Sequence, residues 1–175
     1  MKLFPLTLAL LLVAGISGCS TYSVEGRYSY DSATDFSVIK SFAWKSANEA
    51  SFATPENNAH FRSAMASALS AKGFTENQES PDFVIATVPI KDYREDYELY
   101  GYGKVAFEHK ILRVSFVDPS SGRHIYEGVA SAYNNPDWSQ EEINAVIDKA
   151  VEVILSKFPP DNQADPVELL ISGTR

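Results

Sequence analysis

The stretch LRVSFVDPSSGRHIYEGVASAY, residues 112–133, decides the fold of this chain. Two runs rich in β-branched and aromatic residues flank DPSSG, residues 118–122, where proline and glycine suit a tight turn. The pattern predicts an antiparallel hairpin. On its second strand, one parity carries Tyr126, Gly128, Ala130 and Ala132. The glycine and the two alanines among them let a helix approach closely, so the hairpin predicts a sheet with a helix packed on one face.

Further strands are predicted on the N-terminal side of the hairpin. FSVIKSFAW, residues 36–44, places Phe36, Val38, Phe42 and Trp44 at period two, and DFVIATV, residues 82–88, is a second strand. The strand leading into the hairpin extends from residue 105 to 117. Its apolar residues change parity, since Val105, Phe107 and Ile111 precede Leu112, Val114 and Phe116. That change requires a bulge or a strong twist if both sets share one face.

Two helices are indicated by their end signals. Thr54-Pro55-Glu56 begins the first, and Lys72-Gly73 ends it. Ser139 and Glu142 form a capping box for the second, whose apolar stripe continues to Phe158. A coiled-coil seam is the alternative for this stripe, but its short length favours the core face of a packed helix.

The order β-α-β-β-β-α predicts an α+β two-layer sandwich. Its sheet is largely antiparallel with about four strands, and both helices lie on one face. We expect a tether over residues 19–32, a single domain over 33–160, and a loosely held tail over 161–175.

The N-terminus has the pattern of a secretory signal over residues 1–18. Lys2 supplies a positive charge, an apolar run of residues 3–16 follows, and small residues precede Cys19. The run is too short to span a bilayer, which takes about 20 apolar residues. Cys19 is the only cysteine, so no intrachain disulfide can form.

Ile16-Ser17-Gly18-Cys19 resembles the lipobox of bacterial lipoproteins. The resemblance implies that the Cys19 thiol receives a diacylglyceryl group, that cleavage precedes it, and that acyl chains such as palmitate anchor the new N-terminus to a membrane. Ser20 stands where an aspartate would resemble the inner-membrane retention signal. The outer membrane is therefore expected, ahead of the inner membrane or the cell surface. The alternative is an ordinary signal peptide with an incidental cysteine.

The charge balance excludes two classes of partner. The chain carries 15 basic and 23 acidic residues, a net charge of −8, and removal of residues 1–18 takes away Lys2 to leave −9. An acidic surface argues against nucleic acid and against electrostatic adsorption to anionic lipid. The body is expected in the periplasm, held by lipid.

Catalytic chemistry has little support in the sequence. His60, His109 and His124 share no metal-ligand spacing, and no nucleophile elbow, phosphate loop or dinucleotide fingerprint is present. We predict no catalytic residue, no metal and no cofactor beyond the lipid on Cys19. An enzyme whose site forms only on folding is the alternative.

DYREDYELYGYG, residues 92–103, has the composition of a recognition surface. Its four tyrosines, Tyr93, Tyr97, Tyr100 and Tyr102, lie among four acids and two glycines. An exposed loop or strand extension that contacts a partner is predicted. The competing interpretation is a strand extension with solvated acids and partly buried rings. A calcium loop is disfavoured because the EF-hand spacing is missing.

Several segments together resemble Gram-negative lipoproteins carrying domain of unknown function 4136. They are DFSVIKSFAW, AMASALSAKGF, SPDFVI, LRVSFVDPSSGRHIYEGVASA and KFPP, within residues 31–160. The resemblance implies a cell-envelope lipoprotein with no established activity and no catalytic residues. We expect a noncatalytic binding or assembly module at the periplasmic face of the outer membrane, with an envelope protein as partner. The alternatives are an envelope hydrolase or other enzyme, and a structural part of a larger complex.

Overall fold

The computed structural model describes residues 22–46, 52, 54–99 and 103–160, with only the backbone of 89–99 and 103–108. Eight elements follow one another along the chain. They are β1 (Val24–Tyr30), β2 (Ser41–Trp44), α1 (Pro55–Ala71), β3 (Thr75–Glu76), β4 (Phe83–Leu99), β5 (Gly103–Val117), β6 (His124–Tyr133) and α2 (Gln140–Ile154).

All six strands belong to one open sheet with the order β1-β6-β5-β4-β2-β3. The first four strands in that order are antiparallel to one another, whereas β2 is parallel to both β4 and β3. The α+β class with two helices is confirmed. The prediction of about four strands in the order β-α-β-β-β-α was wrong, because it lacked β1 and β3.

The two missed strands lie at the two edges of the sheet and carry weak signals. β1 occupies part of the segment that was predicted as a tether, and its residues alternate between half-buried and exposed. Its exposed positions hold Glu25, Arg27 and Ser29, which weakens the apolar pattern. β3 has two exposed residues, Thr75 and Glu76, and is defined by pairing with β2 rather than by hydrophobicity.

The predicted starts of both helices are confirmed. The Thr54 side chain accepts a hydrogen bond from the Asn57 backbone N–H, and proline follows at the first helical position. At α2, the Ser139 and Glu142 side chains each accept from the other's backbone N–H, which forms the capping box. This helix ends at Ile154, earlier than predicted, although Phe158 remains buried.

One strand prediction needs correction, and the change of parity on β5 is explained. The strand predicted from residue 36 is confined to β2, whose four residues are all buried, while Val38 outside it is 68% exposed. The apolar residues of β5 change parity near Ile111 because the two sets occupy opposite faces of one strand. Ile111 and the apolar residues before it lie on one face, and Leu112 and those after it lie on the other. The irregularities in register lie instead in the partner strands, in β4 between Val88 and Lys91 and in β6 between His124 and Tyr126.

The core lies between the sheet and the two helices. Stacked and edge-on rings fill it near the end of α2, with Phe116 4.7 Å from both Phe83 and Phe158 between ring centroids. Aliphatic residues of both helices join the same cluster, including Met65 and Leu69 of α1 and Ile154 of α2. One continuous core therefore holds both layers together.

The small residues of β6 face α2, as predicted. A Cβ placed on Gly128 would lie 2.9 Å from the Ile154 carbonyl oxygen and 3.2 Å from its Cα. Ala130 and Ala132 on the same parity are buried. Glycine at position 128 therefore lets the backbone of α2 pass directly over β6.

Candidate functional site

β4 and β5 continue beyond the other strands as a two-stranded hairpin. β2 pairs with β4 only as far as Ile85, and β6 pairs with β5 only as far as His109. The antiparallel pairing of β4 with β5 nevertheless continues from Tyr93 opposite His109 to Leu99 opposite Gly103. We call residues 93–99 and 103–109 the ribbon. Among the described residues, no third strand pairs with it past His109.

The two faces of the ribbon differ in composition. Register and the two-residue period of a strand assign each position to a face. One face, called the aromatic face, holds Tyr93, Glu95, Tyr97, Leu99, Gly103, Val105, Phe107 and His109. The other holds Arg94, Asp96, Glu98, Lys104, Ala106 and Glu108. The sequence therefore builds an amphipathic ribbon.

Each ribbon face continues one face of the main sheet. Leu112 and Val114 are buried toward the helices, and the charged ribbon positions share their parity on β5. The aromatic face shares the parity of exposed Arg113 and so continues the side opposite the helices. Near the ribbon base, that open side carries Val88 and Tyr133, which are 40% and 43% exposed.

Opposite charges occupy directly paired positions on the charged face. Arg94 stands opposite Glu108, and Glu98 stands opposite Lys104. Opposite-charge pairs at facing positions stabilise a hairpin and disfavour a shift in register. They explain why a sequence with so many charges continues as a strand.

The chain enters the domain at the end of the sheet from which the ribbon projects. Val24, the first residue of β1, pairs with Ala132, which in turn pairs with Lys110 at the ribbon base. Just before β1, the Tyr22 ring lies edge-on to Trp138, with centroids 5.4 Å apart. We call this the ribbon end of the domain.

The predicted site residues divide between described and undescribed parts of the chain. Tyr93 and Tyr97 lie on the aromatic face of the ribbon. Tyr100 and Tyr102 lie outside the described residues, as do Cys19 and the preceding Ile16, Ser17 and Gly18. The sequence analysis missed the pairing of the aromatic strand with Val105 and Phe107, although the unbroken charged parity of residues 92, 94, 96 and 98, with Tyr93 and Tyr97 on the other, is a usable strand signal.

Carboxylates at the opposite end of the domain bind backbone and hydroxyl groups of this chain. One Asp82 oxygen accepts from the N–H groups of Lys40 and Ser41 at 2.9 Å and from the Ser41 hydroxyl at 2.8 Å. The Lys40 bond is the main cause that lowers the pKa of Asp82. Hydrogen bonds from Ser121 and Ser120 lower the pKa of Asp118 to about 2. Both carboxylates close loops.

Two further ionisable groups, on Tyr126 and His60, have structural partners. Tyr126 donates a hydrogen bond to the carbonyl oxygen of Ile154, and burial raises its pKa. His60 Nε2 lies 2.8 Å from Asp148 Oδ1 and links the two helices. In the part of the chain that the structure describes, no group of three or more His, Cys, Asp or Glu residues could hold a metal ion. None of the described helices is long and apolar enough to cross a membrane.

The open six-stranded sheet, two helices on one face and a projecting ribbon define a two-layer α+β domain. The chain belongs to the family described as domain of unknown function DUF4136, whose family model matches residues 27–160. None of the curated proteins matches it significantly.

Solved structures share the fold at low identity. A PDZ domain protein from Parabacteroides distasonis is 14% identical with a TM-score of 0.56, over 80% of this chain and 36% of that chain. The PelC dodecamer from Paraburkholderia phytofirmans is 16% identical with a TM-score of 0.50, over 77% of this chain and 96% of that chain. A point variant of the same PelC dodecamer is 17% identical with a TM-score of 0.50, over 77% of this chain and 95% of that chain.

Proposed function

We propose that this protein is a lipid-anchored, noncatalytic binding or assembly module at the periplasmic face of the outer membrane. One observation carries the proposal: the sheet begins at Val24, five residues after the lipobox cysteine. Five extended residues reach at most about 18 Å. An acylated Cys19 would therefore hold the folded domain directly against its membrane.

Anchoring by lipid agrees with the charge of the chain. The net charge of −9 after removal of residues 1–18 disfavours electrostatic adsorption to anionic lipid, so the acyl chains have to supply the membrane affinity. Each buried methylene contributes about 0.8 kcal/mol, and two or more chains suffice for stable attachment.

A noncatalytic role has support from the use of polar groups. The described carboxylates whose pKa is lowered, Asp35, Asp82, Asp118 and Glu142, each accept hydrogen bonds that close a turn or cap a helix. The ribbon is the surface that we propose for binding. Its aromatic face includes Tyr93 and Tyr97 and lies on the side of the sheet that the helices leave uncovered.

The proposal is tested by replacing Cys19 with serine in cells. Serine lacks the thiol nucleophile, so the variant should retain its signal peptide, take up no radiolabelled palmitate and leave the outer-membrane fraction. Ser20→Ala is the matched control and should be processed and acylated normally. Normal processing and membrane association of Cys19→Ser would overturn the lipoprotein assignment.

We also propose homo-oligomeric assembly as a second candidate role. The neighbouring PelC structures are described as dodecamers and are matched over nearly their whole length. In this chain, β1 and β3 are the edge strands of the described sheet, and an edge strand can pair with another copy. Size-exclusion chromatography with multi-angle light scattering of the acylated protein in detergent tests this. A uniform monomer at micromolar concentration would contradict it.

A further inference from the structure

We propose that the aromatic face of the ribbon lies on the same bilayer that holds Cys19. The inference rests on the proposed lipid anchor and identifies the partner of the ribbon as the phospholipid surface itself. Three features of the described residues support it: the position of the ribbon, its length, and the chemistry of its two faces.

Position is the first argument. The register places Val24 level with Ala132 and Lys110, so the chain enters at the base of the ribbon. From that level β5 continues seven residues further, to Gly103. The anchor and the ribbon therefore leave the domain from the same end.

Length is the second argument. Seven residues of antiparallel strand span about 24 Å, at roughly 3.4 Å per residue. The five residue steps from Cys19 to Val24 reach at most about 18 Å. The ribbon is therefore longer than the segment from Cys19 to Val24. With Cys19 at the bilayer, the domain cannot stand with the ribbon extended toward the membrane unless the ribbon enters it. Otherwise the domain tilts and the ribbon lies along the surface.

Chemistry is the third argument. Tyrosine and tryptophan rings are enriched at the membrane–water interface, because they combine an apolar ring with a polar tip. Tyr93, Tyr97 and Phe107 share the aromatic face with one acid, Glu95, and the Tyr22–Trp138 ring pair lies at the same end. On the opposite ribbon face, two of the three cross-strand pairs join an acid to a base, and the third pairs Asp96 with Ala106. This division matches that of an interfacial amphipathic segment, which buries one face and leaves the other in water.

The contact is expected to depend on ring burial and not on anionic lipid. Within residues 93–99 and 103–109 the acids are Glu95, Asp96, Glu98 and Glu108, against the bases Arg94 and Lys104. A surface with this balance has no attraction to negative headgroups. Neutral phosphatidylcholine and phosphatidylethanolamine vesicles are therefore the appropriate probe.

The test uses the full acylated protein in such vesicles, with doxyl-labelled lipid as a quencher. Acylation consumes the only native cysteine, so one new cysteine can carry a nitrobenzoxadiazole fluorophore. Tyr97→Cys places the fluorophore on the aromatic face, and Glu98→Cys places it on the charged face. Glu79→Cys, exposed in the loop before β4, is the distant control. Should Tyr97→Cys fail to fold, Val105→Cys at the paired position replaces it.

Support requires quenching at position 97 at least about threefold stronger than at 98, with almost none at 79, because one ribbon face is buried in lipid. Equal quenching at 97, 98 and 79 overturns the inference. Fluorescence at position 97 that changes with the protein-to-lipid ratio also overturns the inference, because it indicates that a second copy of the protein covers the aromatic face. Vesicle flotation of the Glu79→Cys protein tests the anchor separately. A protein that does not float contradicts the lipid anchor, whereas a floating protein with an unquenched position 97 contradicts only the ribbon contact.

Discussion

The hydroxyl of Tyr126 donates a 2.6 Å hydrogen bond to the carbonyl oxygen of Ile154, the last residue of α2. The last carbonyl groups of a helix have no partner within the helix, so this bond satisfies one of them from the sheet. The same ring contacts Phe116 and Phe158, at 5.4 and 5.0 Å between centroids. Tyr126 thus joins the two layers of the domain by both a polar and an apolar contact.

Tyr126→Phe is expected to lower the free energy of unfolding by about 1–3 kcal/mol, because it leaves a buried acceptor without its donor. Urea denaturation at pH 7 measures the change. Tyr28→Phe is the control, since Tyr28 is a half-buried tyrosine on neighbouring β1. Equal stability of the Tyr126→Phe variant and the parent would show that water replaces the hydroxyl.

The same tyrosine should make the stability of the domain depend on pH in the alkaline range. Burial, and secondly the nearby Tyr28, raise the pKa of Tyr126 above its ordinary value of 10.0. The folded state therefore favours the neutral phenol, and its contribution is fully present below pH 10 and lost as the pH rises above that value. The free energy of unfolding should fall more steeply above pH 10 in the parent than in Tyr126→Phe. Parallel curves for the two proteins would contradict this assignment.

Gly128→Leu is expected to cost about 1–3 kcal/mol or more, because even its Cβ would meet the backbone of Ile154. Thermal unfolding monitored by circular dichroism measures the loss. Ser131→Leu is the matched control on the same strand, since position 131 has the opposite parity and is half-buried on the open face. It should change stability by about 0.5 kcal/mol or less. Similar losses from both substitutions would mean that strand disruption, rather than contact with α2, is the cause.

Local signals explain what the sequence predicted correctly. The DPSSG turn, the Thr54 cap and the Ser139–Glu142 capping box each specify a boundary within a few residues, and the structure contains all three. The small residues at alternate positions of β6 predicted the contact with α2. At Gly128 the helix passes so close that any side chain would meet Ile154.

Non-local pairing explains what could not be predicted. β1 pairs with β6 about 100 residues later in the chain, and its alternate charged positions hide the strand pattern. In residues 92–98, one parity is wholly charged and the other holds Tyr93, Glu95 and Tyr97. Only the cross-strand partners Lys104, Val105 and Glu108 show which face each set occupies. The length and position of the ribbon therefore come from the structure.

Asp82→Asn is expected to cost about 1–2 kcal/mol at pH 7, the lower part of the range for hydrogen bonds to a charged group, because the carboxylate is solvent-exposed. The folded-state pKa of Asp82 is lowered, so its contribution is present above pH 3.8 and lost as the pH falls through the folded-state value. The difference from the parent should shrink in acid. Glu79→Gln in the same loop is the control for removal of an exposed carboxylate and should match the parent at pH 7.

Replacing residues 93–109 with Asn-Gly tests whether the ribbon belongs to the folding core. Asp92 and Lys110 are directly paired, so a two-residue turn can join them without a change of register. Among the described strands, β2 pairs with β4 only as far as Ile85 and β6 pairs with β5 only as far as His109, so the ribbon beyond His109 pairs only within itself. The shortened domain should therefore unfold within about 1 kcal/mol of the parent.

The triple variant Tyr97→Ser, Tyr100→Ser and Tyr102→Ser asks the same question with the chain length intact. Rings that contact a bilayer or a partner contribute little to folding, so this variant should keep nearly all of the parent's stability in urea denaturation. Rings buried in a core would cost several kcal/mol, as large-to-small core substitutions do. Stable versions of both variants would leave the ribbon free to act as a contact surface. A large loss in either would make the ribbon scaffold, because surface aromatic side chains on a two-stranded extension cannot supply that much folding energy.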